Sequence, residues 1–389
     1  MEGREFKCKV NRTEDFHQGK QYMLNMSDEI TLSHVLRYAN GIIKGGLPYG
    51  AQLARKLVAK GALPIDPHIV EIGGGMGHVA DNLDFYLEKN YRLYHDGMRY
   101  TMVDISPDLL KFNTQKFGDR PNISCREGDA TKLSKVVSPE ECDVGISVEM
   151  MGDLPTIILP RDGILKYLHG DRTWVDLRPE DMQVFTDSLR MIEQYGFRFD
   201  GAPEQVPFNL GALKALEEML SLGPVTVYIS ENSCENPGPH ATKYPKRIRL
   251  WKHDEYEVSL SQVEHVAKSA GYEVETGTTP DFLEIEPDTL YIDTEFIRSL
   301  WIVAAQKLRK KHGDDHEESR RFRRAMAIRM YKPEEFWAIV DQFDPQLFES
   351  AGMQYPGSQF MRDLIRRRHI CNIKDEWDQI GYALLRKKK

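Results

Sequence analysis

Short apolar runs alternate with amphipathic segments through the middle of the chain. Segments with apolar positions at helical spacing, such as residues 79–87 and 210–220, separate several of these runs. Strands that alternate with helices in this way form parallel βαβ units. The pattern predicts an α/β fold with a doubly wound sheet, and its expected strands are residues 68–72, 100–104, 123–126, 143–148, 225–230 and 272–274.

The two ends of the chain depart from this alternation. Residues 30–43 and 51–59 have apolar positions at helical spacing, so we expect a helical cover before the first strand. Near the C-terminus, residues 381–386 have the pattern of a strand again, and we assign them to the last strand of the sheet. Residues 300–306 are the alternative for that last strand.

Two stretches, one after the fourth strand and one after the sixth, are much longer than the single helix needed between neighbouring strands. We expect both to be insertions, and the first to lie on the substrate side of the sheet. The chain then divides into an N-terminal helical cover (1–66), a first half of the sheet that we expect to bind a ligand (67–154), an insertion (155–222), the second half of the sheet (223–289), a helical insertion (290–376) and a final strand (377–389).

A glycine cluster follows the first strand, which ends in Glu71-Ile72. The loop that opens the next helix contains Gly73, Gly74, Gly75 and Gly77. Glycine suits a backbone that turns sharply against a ligand, and a helix N-terminus favours an anionic group. The next residue is His78, which excludes the Gly-Lys-Ser/Thr ending of a phosphate-binding loop. His78 also stands where a dinucleotide-binding fingerprint has its third glycine.

Acidic residues follow the next three strands. Asp104 ends the second strand, where a carboxylate can accept both hydroxyls of a ribose. Asp129 follows the third strand and can accept from an adenine amino group, and Glu149 follows the fourth strand. All three lie at carboxyl ends of parallel strands, where such sheets bind ligands. The neighbours expected to contact the same ligand are Ile105, Ala130 and Met150.

An acidic residue before three alternating glycines resembles motif I of class I S-adenosylmethionine (SAM) methyltransferases. More narrowly, the chain resembles the MidA-like family, which includes the mitochondrial complex I assembly arginine methyltransferase. The further segments that carry this resemblance are Ser106-Pro107-Asp108-Leu109, residues 149–155, Arg249-Leu250-Trp251 with His253, and residues 278–283 and 380–382. The resemblance implies a Rossmann-like class I methyltransferase sheet, SAM as the cofactor and methyl transfer as the reaction.

The sequence departs from that family at the methyl end of the expected site. Val148 stands where the family has Asn, and Gly152 where it has Asp. The fifth strand ends in Ser230-Glu231-Asn232 rather than Asp-Tyr-Gly. Arginine methylation is therefore one alternative. Methylation of a small molecule, for example in a biosynthetic pathway, is another, and a non-catalytic assembly protein with this fold is a third.

Methyl transfer is an in-line displacement, for which the nucleophile must be held close to the methyl group. A nucleophile that is protonated at neutral pH also needs a general base. Glu149 is the first candidate for this base, and Asp153 and Glu231 are the alternatives. Glu149 could equally cap a helix or contact the methionine part of SAM. The candidates for contact with the substrate are Tyr22 and Tyr49, which we expect to form part of a lid, and His240 and His253.

Composition constrains the class of protein and its partners. With 52 basic and 60 acidic side chains the formal charge is 52 − 60 = −8, which disfavours nucleic acid as a partner. The five cysteines are scattered, and neither a secretory signal nor an apolar run of membrane length is evident, so we expect a cytoplasmic protein with no membrane partner. We expect no metal site, a small molecule or a protein as the substrate, and a homodimer as one option for assembly.

Overall fold

The computed structural model describes residues 6–7, 9–11, 31–170, 175–176, 179–239, 241–250 and 253–388. An eight-stranded sheet forms its centre. In chain order, the strands of this sheet are β1 (His68–Ile72), β2 (Arg99–Asp104), β3 (Ile123–Glu127), β4 (Val144–Val148), β5 (Thr226–Cys234), β6 (Val258–Ser259), β7 (Tyr272–Thr278) and β8 (Ile380–Lys387).

The strands lie in the order β3-β2-β1-β4-β5-β8-β7, and the short β6 pairs with the end of β5. Strands β1 to β5 pair in parallel, whereas β8 is antiparallel to both of its neighbours. The strand order reverses between β1 and β4, and doubly wound sheets bind ligands in the crevice at such a reversal. The predicted α/β class with a Rossmann-like sheet is confirmed.

Helices cover both faces of the sheet, because successive residues of a buried strand point to opposite faces. Val70 and Ile72 of β1 belong to one apolar core, together with residues of helix Leu210–Ser221. Ile69, which directly precedes Val70, belongs to a second core that includes residues of helix His78–Asn90. This two-sided burial explains why the strands are continuous apolar runs rather than alternating ones.

The helices and 3₁₀ turns lie in three regions of the chain. Before the insertions lie the helices Leu32–Val35, Tyr49–Ala59, His78–Asn90, Arg92–His95 and Pro107–Lys116 and the 3₁₀ turns Ala130–Lys135, Pro139–Glu141 and Met151–Asp153. The middle of the chain has the helices Arg161–Leu168, Pro179–Tyr195, Leu210–Ser221, Leu260–Ser269 and Thr279–Phe282. The last part has Thr294–His312, Glu317–Ala325, Pro333–Val340, Pro345–Glu349, Gln359–Arg368 and Ile373–Glu376. Within the described ranges, no helix has the length and apolarity needed to cross a bilayer.

The insertions add small sheets of their own. In the first, strands Thr156–Pro160 and Gln205–Phe208 form an antiparallel sheet with Lys9–Asn11 near the N-terminus. In the second, strands Leu290–Ile292 and Ile370–Asn372 pair, and the helices between them enclose a third apolar core. Two further short pairs join Phe6–Lys7 to Val175–Asp176 and Arg247–Arg249 to Asp254–Tyr256.

The structure confirms all six strands predicted from the apolar runs, and it also confirms the final strand, which is β8. The alternative for that strand, residues 300–306, lies inside helix Thr294–His312. One prediction was wrong: within the range 30–43, the described residues 31–43 form only a single helical turn, Leu32–Val35. The Asn40 side chain accepts hydrogen bonds from the backbone N–H groups of Ile42 and Ile43 at 2.8 and 3.0 Å, which replaces helix with a local turn.

Candidate functional site

A cavity of about 370 Å³ opens at the carboxyl ends of β1, β2, β3 and β4. Its volume lies within the range of roughly 300–1,000 Å³ that is usual for small-molecule sites. All of the residues predicted to contact SAM line this cavity, with the exception of Gly77. The residues that sequence reasoning selected as a cofactor site are therefore brought together at one place in the fold.

The glycine loop needs glycine at two positions for different reasons. Gly73 has φ +66°, and a Cβ atom there would lie 2.2 Å from Cγ of Met150. This contact allows the loops after β1 and β4 to approach each other closely. Gly77 also has φ +66° and caps the helix His78–Asn90, and a Cβ atom there would lie 2.7 Å from Oδ1 of Asn113. Gly77 thus shapes the loop without lining the cavity.

The helix after β2 holds the glycine loop in place. Asn113 Nδ2 donates a hydrogen bond to the carbonyl of Gly75 at 2.7 Å. Lys116 Nζ donates to the carbonyls of Met76 and Gly77, both at 3.1 Å. Because these donors satisfy the loop carbonyls, the loop has a defined shape before any ligand binds.

Glu71 is buried beneath the glycine loop. The hydroxyl of Tyr100 donates to its Oε2 at 3.0 Å. Burial, reinforced by the nearby charge of Asp104, raises the pKa of the Glu71 carboxyl to about 7. The cavity therefore has a carboxyl group in its floor that changes charge near neutral pH.

The two acids expected to bind the nucleoside part of SAM already have protein partners. Asp104 Oδ1 accepts from the backbone N–H of Ser106 at 2.9 Å. Asp129 Oδ1 accepts from the N–H of Thr131 at 2.9 Å, and its Oδ2 pairs with Lys132 Nζ at 2.6 Å. The Lys132 ion pair is largely exposed and hence weak. An amino group of a ligand could take its place on Asp129.

Glu149 is engaged with the N-terminal cover. Its carboxylate oxygens accept from the backbone N–H groups of Leu32 at 2.8 Å and Ser33 at 3.3 Å, at the start of helix Leu32–Val35. Its backbone has φ +50°, which is unusual for a residue other than glycine. Of the roles considered for Glu149, these contacts support that of a helix cap over that of a general base.

The other two candidate bases differ in access to the cavity. Asp153 lines it, whereas Glu231 is buried behind it. Glu231 Oε2 accepts from the N–H of Gly152 at 3.1 Å. Burial, and next the charge of Glu255, raise the pKa of the Glu231 carboxyl well above its usual range. Glu231 therefore supports the turn that carries Asp153, and its side chain does not line the cavity.

Asp153 meets two residues from a distant part of the sequence. His253 Nε2 lies 3.1 Å from Asp153 Oδ1 and 3.5 Å from Glu255 Oε1. The three side chains have the identity and spacing of a metal-ligand set. The sequence predicted no metal site, because Asp153 and His253 are far apart in the chain and neither belongs to a short metal-binding motif.

The candidates for substrate contact have mixed outcomes. Tyr49 is not on a lid: it is fully buried in the core, where its hydroxyl lies 3.1 Å from that of Tyr228. It belongs to the apolar core that also includes residues of helix His78–Asn90. His253 lies just outside the cavity wall, next to Asp153. Tyr22 and His240 lie outside the described residues.

Two histidines of the cavity wall were missed. His34 from the cover and His78 from the glycine loop both line the cavity, and their rings meet edge to face with centroids 5.0 Å apart. Burial, and next the charge of Arg37, lower the pKa of His34 to about 3. Burial and His34 likewise lower the pKa of His78. The position of His78 directly after Gly77 was a signal for it, whereas the sequence has no comparable signal for His34.

Comparison with family models and with curated protein sequences found no match. Among solved structures, the chain is similar to a protein from Galdieria sulphuraria assigned as a sarcosine dimethylglycine methyltransferase, with 14% identity over 97% of this chain and 98% of that one and a TM-score of 0.38. It is similar to a Burkholderia thailandensis protein assigned as a methyltransferase and bound to S-adenosylhomocysteine, with 11% identity, 95% and 82% coverage and a TM-score of 0.42. It is also similar to the SAM-bound magnesium protoporphyrin IX methyltransferase from Synechocystis, with 12% identity, 59% and 73% coverage and a TM-score of 0.30. At these identities and TM-scores, the similarities do not establish the function of this chain.

Proposed function

We propose that this chain is a SAM-dependent methyltransferase that acts on an O or N nucleophile of a small molecule or of a protein side chain. The observation that carries the proposal is the convergence of the glycine loop after β1 and the acids after β2, β3 and β4 on one cavity. Each of these features alone is common in α/β proteins. Their order on neighbouring strands supports a nucleoside ligand with a cationic centre.

The residues of the cavity fit the chemistry of SAM. Asp104 lines the cavity, and its carboxylate would hold the ribose hydroxyls. Asp129 would accept the adenine amino group, and the loop from Gly73 to Gly75, which lines the cavity, would hold the methionine part. The carboxylates of the walls match the positive sulfonium and ammonium groups of SAM. When bound, SAM supplies an electrophilic methyl group.

The contribution of the protein is to position the acceptor and to remove its proton where the acceptor has one to lose. Asp153 is the candidate base that best meets both needs, because it lines the cavity and His253 orients its carboxylate. Glu149 instead holds the cover, and Glu231 holds the turn of Asp153. Aligning the acceptor with the methyl group supplies most of what an in-line displacement needs.

Arginine methylation, as in the MidA-like family, is the second candidate. The acidic groups at this end of the site, Asp153 with Glu255 behind it, favour it, because carboxylates bind a guanidinium group with charge-assisted hydrogen bonds. A small-molecule phenol or alcohol would instead need only one base at this place. Transfer of tritium from methyl-labelled SAM to arginine peptides or to a panel of hydroxyl compounds separates the two, with Asp153→Asn as the inactive control.

Calorimetry with SAM and with S-adenosylhomocysteine tests the cofactor assignment. We expect binding of both by the wild-type chain and a loss of roughly 10- to 100-fold in Asp104→Ala, because the ribose hydroxyls lose a charged acceptor. Asp119→Ala, at an exposed position just after helix Pro107–Lys116, is the matched control and should bind SAM as the wild type does. Absence of binding by the wild type at millimolar ligand would refute the proposal and favour a non-catalytic assembly protein.

A further inference from the structure

Three side chains that commonly bind metals converge at the acceptor end of the cavity. Asp153 Oδ1 and Glu255 Oε1 lie 3.1 and 3.5 Å from the same atom, His253 Nε2. Each of the three residues offers one ligand atom that lies within 4.8 Å of those of the other two. We propose that Asp153, His253 and Glu255 form a binding site for one divalent transition-metal ion.

The distances between these donors suit a first coordination sphere. Bonds from a metal ion to imidazole nitrogen and carboxylate oxygen are about 2.1 Å long. From such a distance, pairs of donors 3.1 and 3.5 Å apart subtend angles of about 95° and 113°, close to octahedral and tetrahedral values. One imidazole with two carboxylates suits manganese, iron or zinc, whereas magnesium and calcium prefer oxygen donors alone.

The backbone holds the donors in position. Asp153 ends the 3₁₀ turn Met151–Asp153, and Glu255 lies in strand Asp254–Tyr256. The turn and the strand touch at Gly152, where a Cβ atom would lie 2.9 Å from the carbonyl oxygen of Tyr256. Only glycine permits this approach, so the packing that brings Asp153 to Glu255 is built into the fold. Preorganised donors lower the cost of binding an ion.

The electrostatic surroundings favour a cation independently of the donor distances. Glu231 lies buried behind Gly152, and its carboxyl feels the negative charges of Glu255, Glu149 and Asp153. Buried carboxylates at this density are costly unless a positive charge lies among them. A divalent ion bound by Asp153, where that residue faces the cavity, would add positive charge to this group of acids.

The consequence for substrate choice rests on the proposed function. An ion held by Asp153 would border the space where the methyl acceptor lies, and it would favour an acceptor that carries an oxygen donor. It would also neutralise the acids that otherwise attract a guanidinium group. Metal dependence would therefore favour a hydroxyl-bearing small molecule over an arginine side chain.

The test uses the full chain after removal of any affinity tag and of bound metal with EDTA. Manganese chloride is titrated into the protein, and free Mn²⁺ is followed by its electron paramagnetic resonance signal, with zinc chloride as a competitor. We expect one Mn²⁺ per chain, displaced by one Zn²⁺. His253→Ala should weaken binding by about tenfold or more, as the loss of a ligand implies, whereas His169→Ala, at an exposed helix end, should leave it unchanged. If His253→Ala does not fold, Glu255→Gln serves as the second ligand variant.

The outcomes separate this site from the proposed function. Failure of the wild-type chain to bind Mn²⁺ or Zn²⁺ at millimolar concentration overturns the inference, and so does equal affinity in the wild type and the ligand variant. In that case His253 contacts the two carboxylates without an ion between them. Calorimetry with S-adenosylhomocysteine on the same samples reports on the cofactor site alone. Metal binding without nucleoside binding supports the metal site and refutes the methyltransferase proposal.

Discussion

The carboxylate of Glu149 accepts a hydrogen bond from the backbone N–H of Leu32 at 2.8 Å. This bond joins the end of β4 to a helix that begins 117 residues earlier. Amides in the first turn of a helix have no partner within the helix, and a negative side chain there is stabilising. Glu149 and the neighbouring Ser33 both line the cavity. The contact therefore closes the cavity on the side of the N-terminal cover.

Glu149→Ala should loosen this cover. The amides of Leu32 and Ser33 lose their acceptors, so we expect faster hydrogen exchange in residues 31–36 and a fall in SAM affinity of several-fold to tenfold. Hydrogen exchange measured by mass spectrometry, with and without S-adenosylhomocysteine, gives both quantities. Glu193→Ala, on an exposed part of helix Pro179–Tyr195, is the control. Unchanged exchange in residues 31–36 would show that Glu149 does not hold the cover.

Gly77→Ala should cost more stability than Gly196→Ala, although the two glycines have nearly the same backbone conformation, φ +66° and +62°. An alanine in this conformation costs roughly 1–2 kcal/mol at either place. At Gly77 the new Cβ would also lie 2.7 Å from Asn113 and from Phe117. At Gly196, no atom of the described residues lies within 4 Å of such a Cβ. We expect an additional loss of about 1–3 kcal/mol at Gly77 from this crowding. Urea unfolding measures both losses, and equal values would contradict the packing argument.

His78 should recognise the carboxylate of SAM. It begins the helix His78–Asn90, whose N-terminus favours an anion, and its Nε2 atom is buried without a hydrogen-bond partner among the described residues. Lys116 and Arg37 make the potential at this ring more positive, as their lowering of its pKa shows. A carboxylate would therefore be attracted here and repelled by the acids elsewhere in the wall.

A comparison of SAM with decarboxylated SAM, which lacks only that carboxylate, isolates the contact. We expect His78→Leu to lose roughly 10-fold or more in affinity for SAM and little for decarboxylated SAM, since a charge-assisted hydrogen bond is lost. His78→Gln keeps an N–H donor and should retain most of the preference for SAM. Equal losses for the two ligands would assign His78 a packing role instead.

The parts of the molecule that depend on near neighbours in sequence could be predicted. The apolar runs of the strands follow from burial on both faces, as Ile69 and Val70 show by entering opposite cores. The loop from Gly73 to Gly77 and the acids after β2 and β3 could be placed because parallel strands bring their carboxyl ends to one edge. The same reasoning brought Asp104 and Asp129 to a common cavity.

Contacts between distant segments could not be predicted from such patterns. The role of Glu149 depends on a helical turn that ends at Val35, whereas periodicity alone extended that helix to residue 43. Tyr49 beside glycines suggested a lid, but its helix turns it into the core against Tyr228. The meeting of Asp153 with His253 depends on the approach of a turn and a strand at one glycine, which no local signal reports.

Glu71 should make the stability of the protein fall as the pH rises. Its pKa is about 7 in the folded chain and about 4.5 when unfolded, so the folded state binds the proton more tightly between these values. Stability is then greatest below pH 4.5 with respect to this group, and it decreases by about 3 kcal/mol as the pH rises through 7. Glu231, whose pKa is also raised, acts in the same direction, so the contribution of Glu71 has to be separated with a variant.

Glu71→Gln removes the titration and keeps an oxygen for the Tyr100 hydroxyl. We expect its unfolding free energy, relative to the wild type, to increase by up to about 3 kcal/mol between pH 4.5 and pH 8. Urea unfolding at several pH values measures this difference, with Glu127→Gln at the exposed end of β3 as the control for loss of a carboxylate. A difference between Glu71→Gln and the wild type that stays constant with pH would mean that Glu71 is ionised in the folded chain throughout this range, and the floor of the cavity would then carry a fixed negative charge.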